Sequence, residues 1–525
     1  MDDLDTGMLL SDASCYASSS STSTFDGGRL WERSPSPPIR FKEKGTTELL
    51  ELPQELLYHI CTMLDIPEVL RLSKTCKSFF QTCSLRSLWL NILDELDFYE
   101  TPNLPSHLPL TSYSTAELKR RAINAVLISK QARGTAPMKF TRLDTLHTSV
   151  RFKRSFSIFR KVDPFLLPGG QRMLVNNYGQ LELWSIGSDD RDHRCIWRTD
   201  SSTDEMDVVA FNGEVVDGGS AVMIACVFVD RRHTPPMLRV FRFDESTQTC
   251  SVVCETRMSV YVSHVLMIRG NYVLLYQLQS FELWVLDWTS GRNQYVDFKD
   301  QKNQTFRIRS ALLVENALVV TGDTGKFFGE GTLQVFAVQP QHLASSSTQA
   351  VGKINRTTVQ VKHTEELEET KDTWGLAINA FQPFWRRNAN APIELCVVAL
   401  KVLDARNLLM RSYRLQVHTP EADTLFASST IESLKLQVKD VSCAKSVDYP
   451  VAGALSNAAL IFTLQPKFKC FAAFCDSVQP SPIDLRGDES IGAITRTSNY
   501  SVSIEPWSNA ISVGSEGMVA ILRFD

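Results

Sequence analysis

Seven times between Gln171 and Phe524 one pattern returns: a short apolar run, a turn, and a second run often closed by an aromatic residue. It pairs Gln171–Val175 with Leu181–Trp184 around Tyr178-Gly179, Ala221–Val229 with Leu238–Phe243, Asn271–Tyr276 with Phe281–Leu286, and Asn316–Thr321 with Thr332–Val338. Three further copies pair Leu395–Val402 with Leu408–Val417, Asn457–Thr463 with Lys467–Phe474, and Asn509–Val513 with Met518–Phe524. Residues 184, 241, 284, 336, 413, 471 and 522 mark the second runs, and their intervals range from 43 (241 to 284) to 77 (336 to 413). That spacing leaves room for two more strands per repeat and predicts the four-stranded sheets of a seven-bladed β-propeller. The unequal intervals leave a six- or eight-bladed ring, or a sandwich with extra hairpins, open. A ring also answers the length, because 525 residues exceed the roughly 250–300 at which one core stops growing, and blades multiply without thickening any core.

Ahead of these repeats the apolar period is 3.6 rather than 2. From Leu49 to Leu93, 24 of 45 residues are hydrophobic, against 43% in the whole chain. Leu56, Leu57, Ile60, Met63 and Leu64 form one stripe; Val69, Leu70, Leu72, Cys76, Phe79 and Phe80 a second; Leu85, Leu88, Trp89, Ile92 and Leu93 a third. Three short helices are expected, with Pro53 in the first turn of the first, Asp65 capping the second ahead of Pro67 and Glu68, and Ser84 capping the third. Ser114 and Glu117 have capping-box spacing and open a fourth helix that stops before Gly134. Residues 1–46, with Ser18 to Thr24 and the Ser34-Pro35 and Ser36-Pro37 pairs, carry too little apolar surface to offset ordering entropy and read as a disordered tail. The expected organisation is therefore tail 1–46, helical segment 47–96, helical linker 97–146 and all-β domain 147–525.

A unit of about 45 residues is near the limit for independent folding and cannot cover more than one apolar face of each helix. Another polypeptide is expected to cover the rest. The run Leu52-Pro53-Gln54-Glu55-Leu56-Leu57, then Ile60, Leu64, Val69-Leu70-Arg71-Leu72, Cys76-Lys77, Phe79 and Leu88-Trp89, resembles an F-box continuously over about 40 residues. Cys61 departs from that family, which usually has a larger aliphatic residue there. The resemblance implies docking on the small Skp adaptor, and through it on a cullin scaffold, a RING subunit and a ubiquitin-conjugating enzyme. It carries the adaptor-facing role onto Leu52, Pro53, Leu56, Leu57, Ile60, Leu64, Val69, Leu70, Leu72, Cys76, Leu88 and Trp89, each of which is otherwise a core position within the segment. An F-box tethered to a substrate-recognition module is the family's usual plan, and Leu283-Trp284-Val285-Leu286-Asp287 looks like a degenerate WD-type repeat without the Gly-His dipeptide. The combination is similar to fungal F-box proteins with divergent propeller-like C-terminal regions. A non-catalytic substrate receptor of a Skp-cullin-F-box ubiquitin ligase is the implied function, and a Skp-bound scaffold without a cullin the alternative.

Two arginine-rich stretches are candidates for binding a protein substrate, Arg231 and Arg232 before a return strand and Trp385-Arg386-Arg387 ahead of the fifth hairpin. Guanidinium groups there suit an acidic or phosphorylated peptide, and solvated loop arginines are the plainer reading. The acidic run Glu365, Glu366, Glu368 and Glu369 reads as a solvated loop or short helix. Between Lys119 and Lys161, twelve Lys/Arg face one acid, Asp144, although the formal net charge of the chain is only -4. Arg151 and Lys153 alternate with Val150 and Phe152 like an outward strand face, so nucleic acid is not the expected partner.

Other chemistries find no support in the residues. Twelve cysteines are spread through apolar runs as reduced core thiols, and neither Cys250 with Cys254 nor Cys470 with Cys475 has a second Cys or His pair at zinc-ligand spacing. No metal, cofactor or catalytic residue is expected; there is no P-loop, His-Glu-x-x-His or Gly-x-Ser-x-Gly run. No stretch approaches the ~20 apolar residues that cross a bilayer, and the acidic start Met1-Asp2-Asp3-Leu4-Asp5 is unlike a secretory signal. A cytosolic or nuclear location is expected.

Overall fold

The computed structural model describes residues 52–95, 112–133, 142–148, 162–187, 193–199, 206–230, 235–258, 264–277 and 282–299, and the strands between 307 and 523 whose bounds follow. The tail expected over residues 1–46 lies outside them. Five α-helices come first: α1 (Gln54–Thr62), α2 (Ile66–Leu72), α3 (Lys77–Cys83), α4 (Arg86–Glu95) and α5 (Thr115–Arg133).

The second apolar stripe, expected as one helix, is two. Ser73 Oγ and Thr75 Oγ1 donate to the carbonyls of Leu70 and Leu72 at 2.8 and 2.7 Å, and Cys76 is extended at φ -156°. Short polar side chains that bond the preceding turn end α2 there. Asp65 is the N-cap residue of α2, but its carbonyl, not its carboxylate, makes the first bonds, to Glu68 N and Val69 N at 2.9 Å. Ser84 closes α3 rather than opening α4, its hydroxyl donating back to Phe80 O at 2.7 Å. The box at Ser114 forms by half: Glu117 N donates to Ser114 Oγ at 3.2 Å, while the Glu117 carboxylate takes Arg120 and Arg121. Helix α5 ends at Arg133, next to Gly134.

Strand β1 (Arg142–His147) follows, inside the stretch expected as helical linker. Blade 1 comprises β2 (Val162–Leu166), β3 (Arg172–Asn177), β4 (Gln180–Ser185) and β5 (Arg194–Arg198). Blade 2 comprises β6 (Met206–Val216), β7 (Ala221–Asp230), β8 (Met237–Asp244) and β9 (Thr249–Arg257). Blade 3 comprises β10 (His264–Arg269), β11 (Tyr272–Gln277), β12 (Glu282–Asp287) and β13 (Arg292–Lys299). Blade 4 starts with β14 (Arg307–Val314), β15 (Ala317–Lys326) and β16 (Glu330–Val338); β17 (Arg356–Gln360) then adds to blade 3, parallel to β13, before β18 (Glu365–Leu367) completes blade 4. Blade 5 comprises β19 (Ala377–Phe381), β20 (Ile393–Val402), β21 (Asn407–Val417) and β22 (Phe426–Gln437). Blade 6 comprises β23 (Val451–Ala454), β24 (Ala459–Leu464), β25 (Lys469–Phe474) and β26 (Ser481–Pro482). Blade 7 comprises β27 (Ser501–Glu505), β28 (Ala510–Ser515) and β29 (Met518–Arg523), with β1 as its fourth strand.

Among the described residues these are seven antiparallel meanders, and each repeat seen in the sequence is the second and third strand of one. Their first strands lie side by side around a ring, β10 on β6, β14 on β10, β19 on β14, β23 on β19, β27 on β23 and β2 on β27, and the ring is completed by β6 against β3 and β4. This is a β-propeller of seven blades. Its cores lie between blades rather than within them: Leu174, Leu183, Val222 and Phe243 pack blade 1 on blade 2, and Val240, Leu275, Trp284 and Tyr295 pack blade 2 on blade 3. Trp184 and Trp284, the conspicuous Leu-Trp positions, are buried packing residues of these layers.

The ring closes on β1, which pairs with β29 from Arg142↔Arg523 to His147↔Met518. Asp144, buried in that pair, is held by Arg142 and by Arg523 Nε at 2.9 Å, and Arg523 also donates to Gly170 O in blade 1 at 3.0 Å. A bidentate pair, Arg172 to Glu245 at 2.6 and 2.7 Å, ties blade 1 to blade 2. Gly514 sits where blade 7 meets blade 1 so closely that a Cβ would collide with Val162 O and Pro164 Cδ. The acidic run read as loop or helix in part forms β18, an edge strand, where charge deters pairing with a further strand.

Candidate docking face of the helical segment

Helix α1 begins where Pro53 O accepts from Leu56 N at 3.0 Å and Leu57 N at 3.2 Å. The helix is apolar on two faces. Leu57 and Cys61, four apart, are buried against α3 and α4, while Leu56 is 49% exposed and Ile60, four further on, half-buried. Met63, at 77% exposed, continues that outward row, and Phe80 on α3 adds a 60% exposed ring. Neither was singled out for adaptor contact from the sequence. Met63 stands seven positions after Leu56, a spacing that repeats a helical face after two turns.

The twelve sequence-derived adaptor residues thus divide. Pro53 and Leu56 are exposed, and Leu52, Ile60, Leu64, Leu70, Leu72 and Cys76 are half-buried, so all eight have surface to offer a partner. Leu57, Val69, Leu88 and Trp89 are at most 4% exposed and hold the segment together from inside. Trp89 illustrates why. Its Nε1 donates to Cys83 O at 2.8 Å, and Lys119 Nζ of α5 stands 5.6 Å from the ring centroid, so the indole is closed off on both sides. Asn91 Nδ2 donates to Tyr58 OH at 2.6 Å across α4 and α1, and Arg86 of α4 reaches Tyr113 O ahead of α5. Helix α5 packs on α4 and α2, and also on β24 and β25 of blade 6.

Two thiols complete this core. Cys61 Sγ and Cys83 Sγ are 3.8 Å apart; burial pushes the Cys61 thiol up, and burial together with the neighbouring Cys61 pushes Cys83 up to about 12. They are uncharged core groups at neutral pH. Among the described residues, no group of three or more His, Cys, Asp or Glu side chains is placed to hold a metal ion, and no helix is long and apolar enough to cross a membrane.

Four of the twelve basic residues of the stretch are described with their side chains, and each has a partner within the fold. Arg120 and Arg121 pair with Glu117, Arg121 also covers the Tyr113 ring at 5.1 Å, Lys119 covers Trp89, and Arg142 pairs with Asp144. Arg151, Lys153 and Lys161 lie outside the described residues. So do Arg231, Arg232, Trp385, Arg386 and Arg387. The strands flanking the first two are the second and third of blade 2, whereas those flanking the other three are the first and second of blade 5.

Among solved structures, the chain is similar to the β-propeller domain of Nup133 from Vanderwaltozyma polyspora, at 10% identity over 63% of this chain and 97% of that chain with a TM-score of 0.30. So low a score adds nothing to the strand order and ring contacts on which the propeller rests. No curated protein sequence matches the chain. Residues 49–95, the segment that carries the outward row of α1, match the F-box-like family model.

Proposed function

We propose that the protein is a non-catalytic substrate receptor: its F-box-like segment docks on a Skp adaptor, a cullin and RING subunit join through that adaptor, and the propeller holds a protein substrate. The observation that carries the reading is α1, whose buried row of Leu57 and Cys61 leaves a second apolar row, Leu56, Ile60 and Met63, facing outward. Covering side chains of that size yields roughly 1.5–3 kcal/mol each before ordering and association costs. The receptor acts by proximity, raising the effective concentration of substrate lysines near a charged conjugating enzyme. Reduced cysteines fit a cytosolic or nuclear setting.

Co-purification with the Skp adaptor tests the docking step. Leu56→Asp, and Leu52→Ala with Pro53→Ala, are expected to abolish it while the propeller keeps its thermal unfolding transition. Adaptor binding unchanged in these variants overturns the assignment. Reconstituted ubiquitylation with cullin and RING present separates receptor from scaffold, since a scaffold binds the adaptor tightly and leaves every bound protein unmodified.

A further inference from the structure

We propose that Cys61 and Cys83 form a closable dithiol, joined by a peroxide-class oxidant into a disulfide that locks α1 to α3. The thiols are 22 positions apart, on different helices, and both are free and buried. Their sulfurs stand 3.8 Å apart. A disulfide needs about 2.05 Å, so each sulfur moves by roughly 1 Å.

The chemistry balances with hydrogen peroxide. One thiolate attacks a peroxide oxygen; the O–O bond breaks, a sulfenic acid forms, and the released hydroxide leaves as water with the thiol's proton. The second thiolate attacks the sulfenic sulfur; the S–S bond forms, the S–O bond breaks, and a second water leaves. Two thiols are oxidised and one peroxide is reduced. Burial and the raised pKa values keep thiolate scarce while the segment is closed. Attack therefore waits on opening of the helical segment, and a unit this small opens readily. This deepens the docking reading, because α1 carries Cys61 between its outward Ile60 and Met63, and a partner covering that row holds the segment shut over its own thiols.

The test treats the full chain with hydrogen peroxide, alkylates it under denaturing, non-reducing conditions and maps the peptides by mass spectrometry. A cross-linked peptide pair joining Cys61 to Cys83 is expected, lost in Cys61→Ser and Cys83→Ser and kept in Cys76→Ser. Recovery of both residues alkylated after Cys76 is fully oxidised, or either one joined to another cysteine, overturns the proposal; the wild-type map decides alone if a variant fails to fold. A second arm adds the Skp adaptor at about 100 times its Kd, where linkage lowers the open population about a hundredfold. Cross-linking slowed at least about tenfold is expected, and an unchanged rate with adaptor bound overturns the gating by opening. If the adaptor does not bind at all, the docking reading falls, while the cross-link map still decides the dithiol by itself.

Discussion

Leu56 and Leu57 are neighbours of the same type with opposite environments, one half exposed and one at 4%. The same contrast separates Leu56 from Trp89, a fully buried residue first grouped with the adaptor-facing set. Trp89→Ala is expected to cost about 3–5 kcal/mol, through the cavity it leaves and the lost bond to Cys83 O; Leu56→Ala is expected to cost about 0.5 kcal/mol or less. Denaturant unfolding of the helical signal measures both, and the adaptor affinities should rank the other way, with Leu56→Ala binding more weakly per unit of stability lost. A second residue-scale device repeats between blades. Asp244 Oδ1 accepts from Ser246 N and Oγ and from Thr247 N, and Asp287 accepts from Thr289 and Ser290 in the same turn of the next blade. For Asp287, burial pushes the carboxyl up but the Thr289 and Ser290 hydrogen bonds outweigh it and hold it below the usual range. A depressed folded pKa contributes stability that is present above the unfolded value and lost as pH falls through the folded one. Protection of the amides in the 287–292 turn, relative to their intrinsic exchange rates, is therefore expected to fall below about pH 4, and Asp287→Asn should flatten that dependence. An acid profile identical in both proteins contradicts the assignment.

At the scale of elements, what the chain spells out best is its hairpins. Tyr178-Gly179 joins β3 to β4 with φ of 52° and 90°, the left-handed pair that matches the twist of adjoining strands. A Cβ at Gly179 would stand 2.7 Å from Asp207 Oδ1. Gly179→Ala is expected to destabilise the propeller by about 1–3 kcal/mol, read from denaturant unfolding by tryptophan fluorescence; an unchanged midpoint removes the reading of this turn. Helix boundaries were harder to read. The stripe from Val69 to Phe80 keeps a helical period across Ser73-Lys74-Thr75, and only the side-chain bonds of Ser73 and Thr75 to the turn before them reveal the break. Nor did periodicity separate the two faces of α1, because both are apolar and a count of hydrophobic positions does not say which one neighbouring helices reach first.

At the scale of the whole molecule, stability hangs on a ring closed between residues far apart in the chain. β1 leaves the helical region and becomes the outer strand of the last blade, and the pair between Asp144 and Arg523 spans 379 positions. Asp144→Ala removes an acid shared by Arg142 and Arg523, and because both arginines keep some access to water the expected cost is about 1–3 kcal/mol, below that of stranding a fully buried charge. Limited proteolysis should then cut first at the junction of blades 7 and 1, and equal cleavage rates in variant and wild type would count against the closure.

The residues by themselves determined that a small helical segment precedes a long all-β region, how many hairpins that region holds, and that the segment is F-box-like, since all of these are written in local period and spacing. Which strand closes the ring, which of the twelve apolar residues are buried and which exposed, and what Lys119, Arg120, Arg121 and Arg142 engage were decided by the tertiary structure. Each depends on contact between segments distant in sequence, and a pattern read along one helix or strand carries no record of what packs against it.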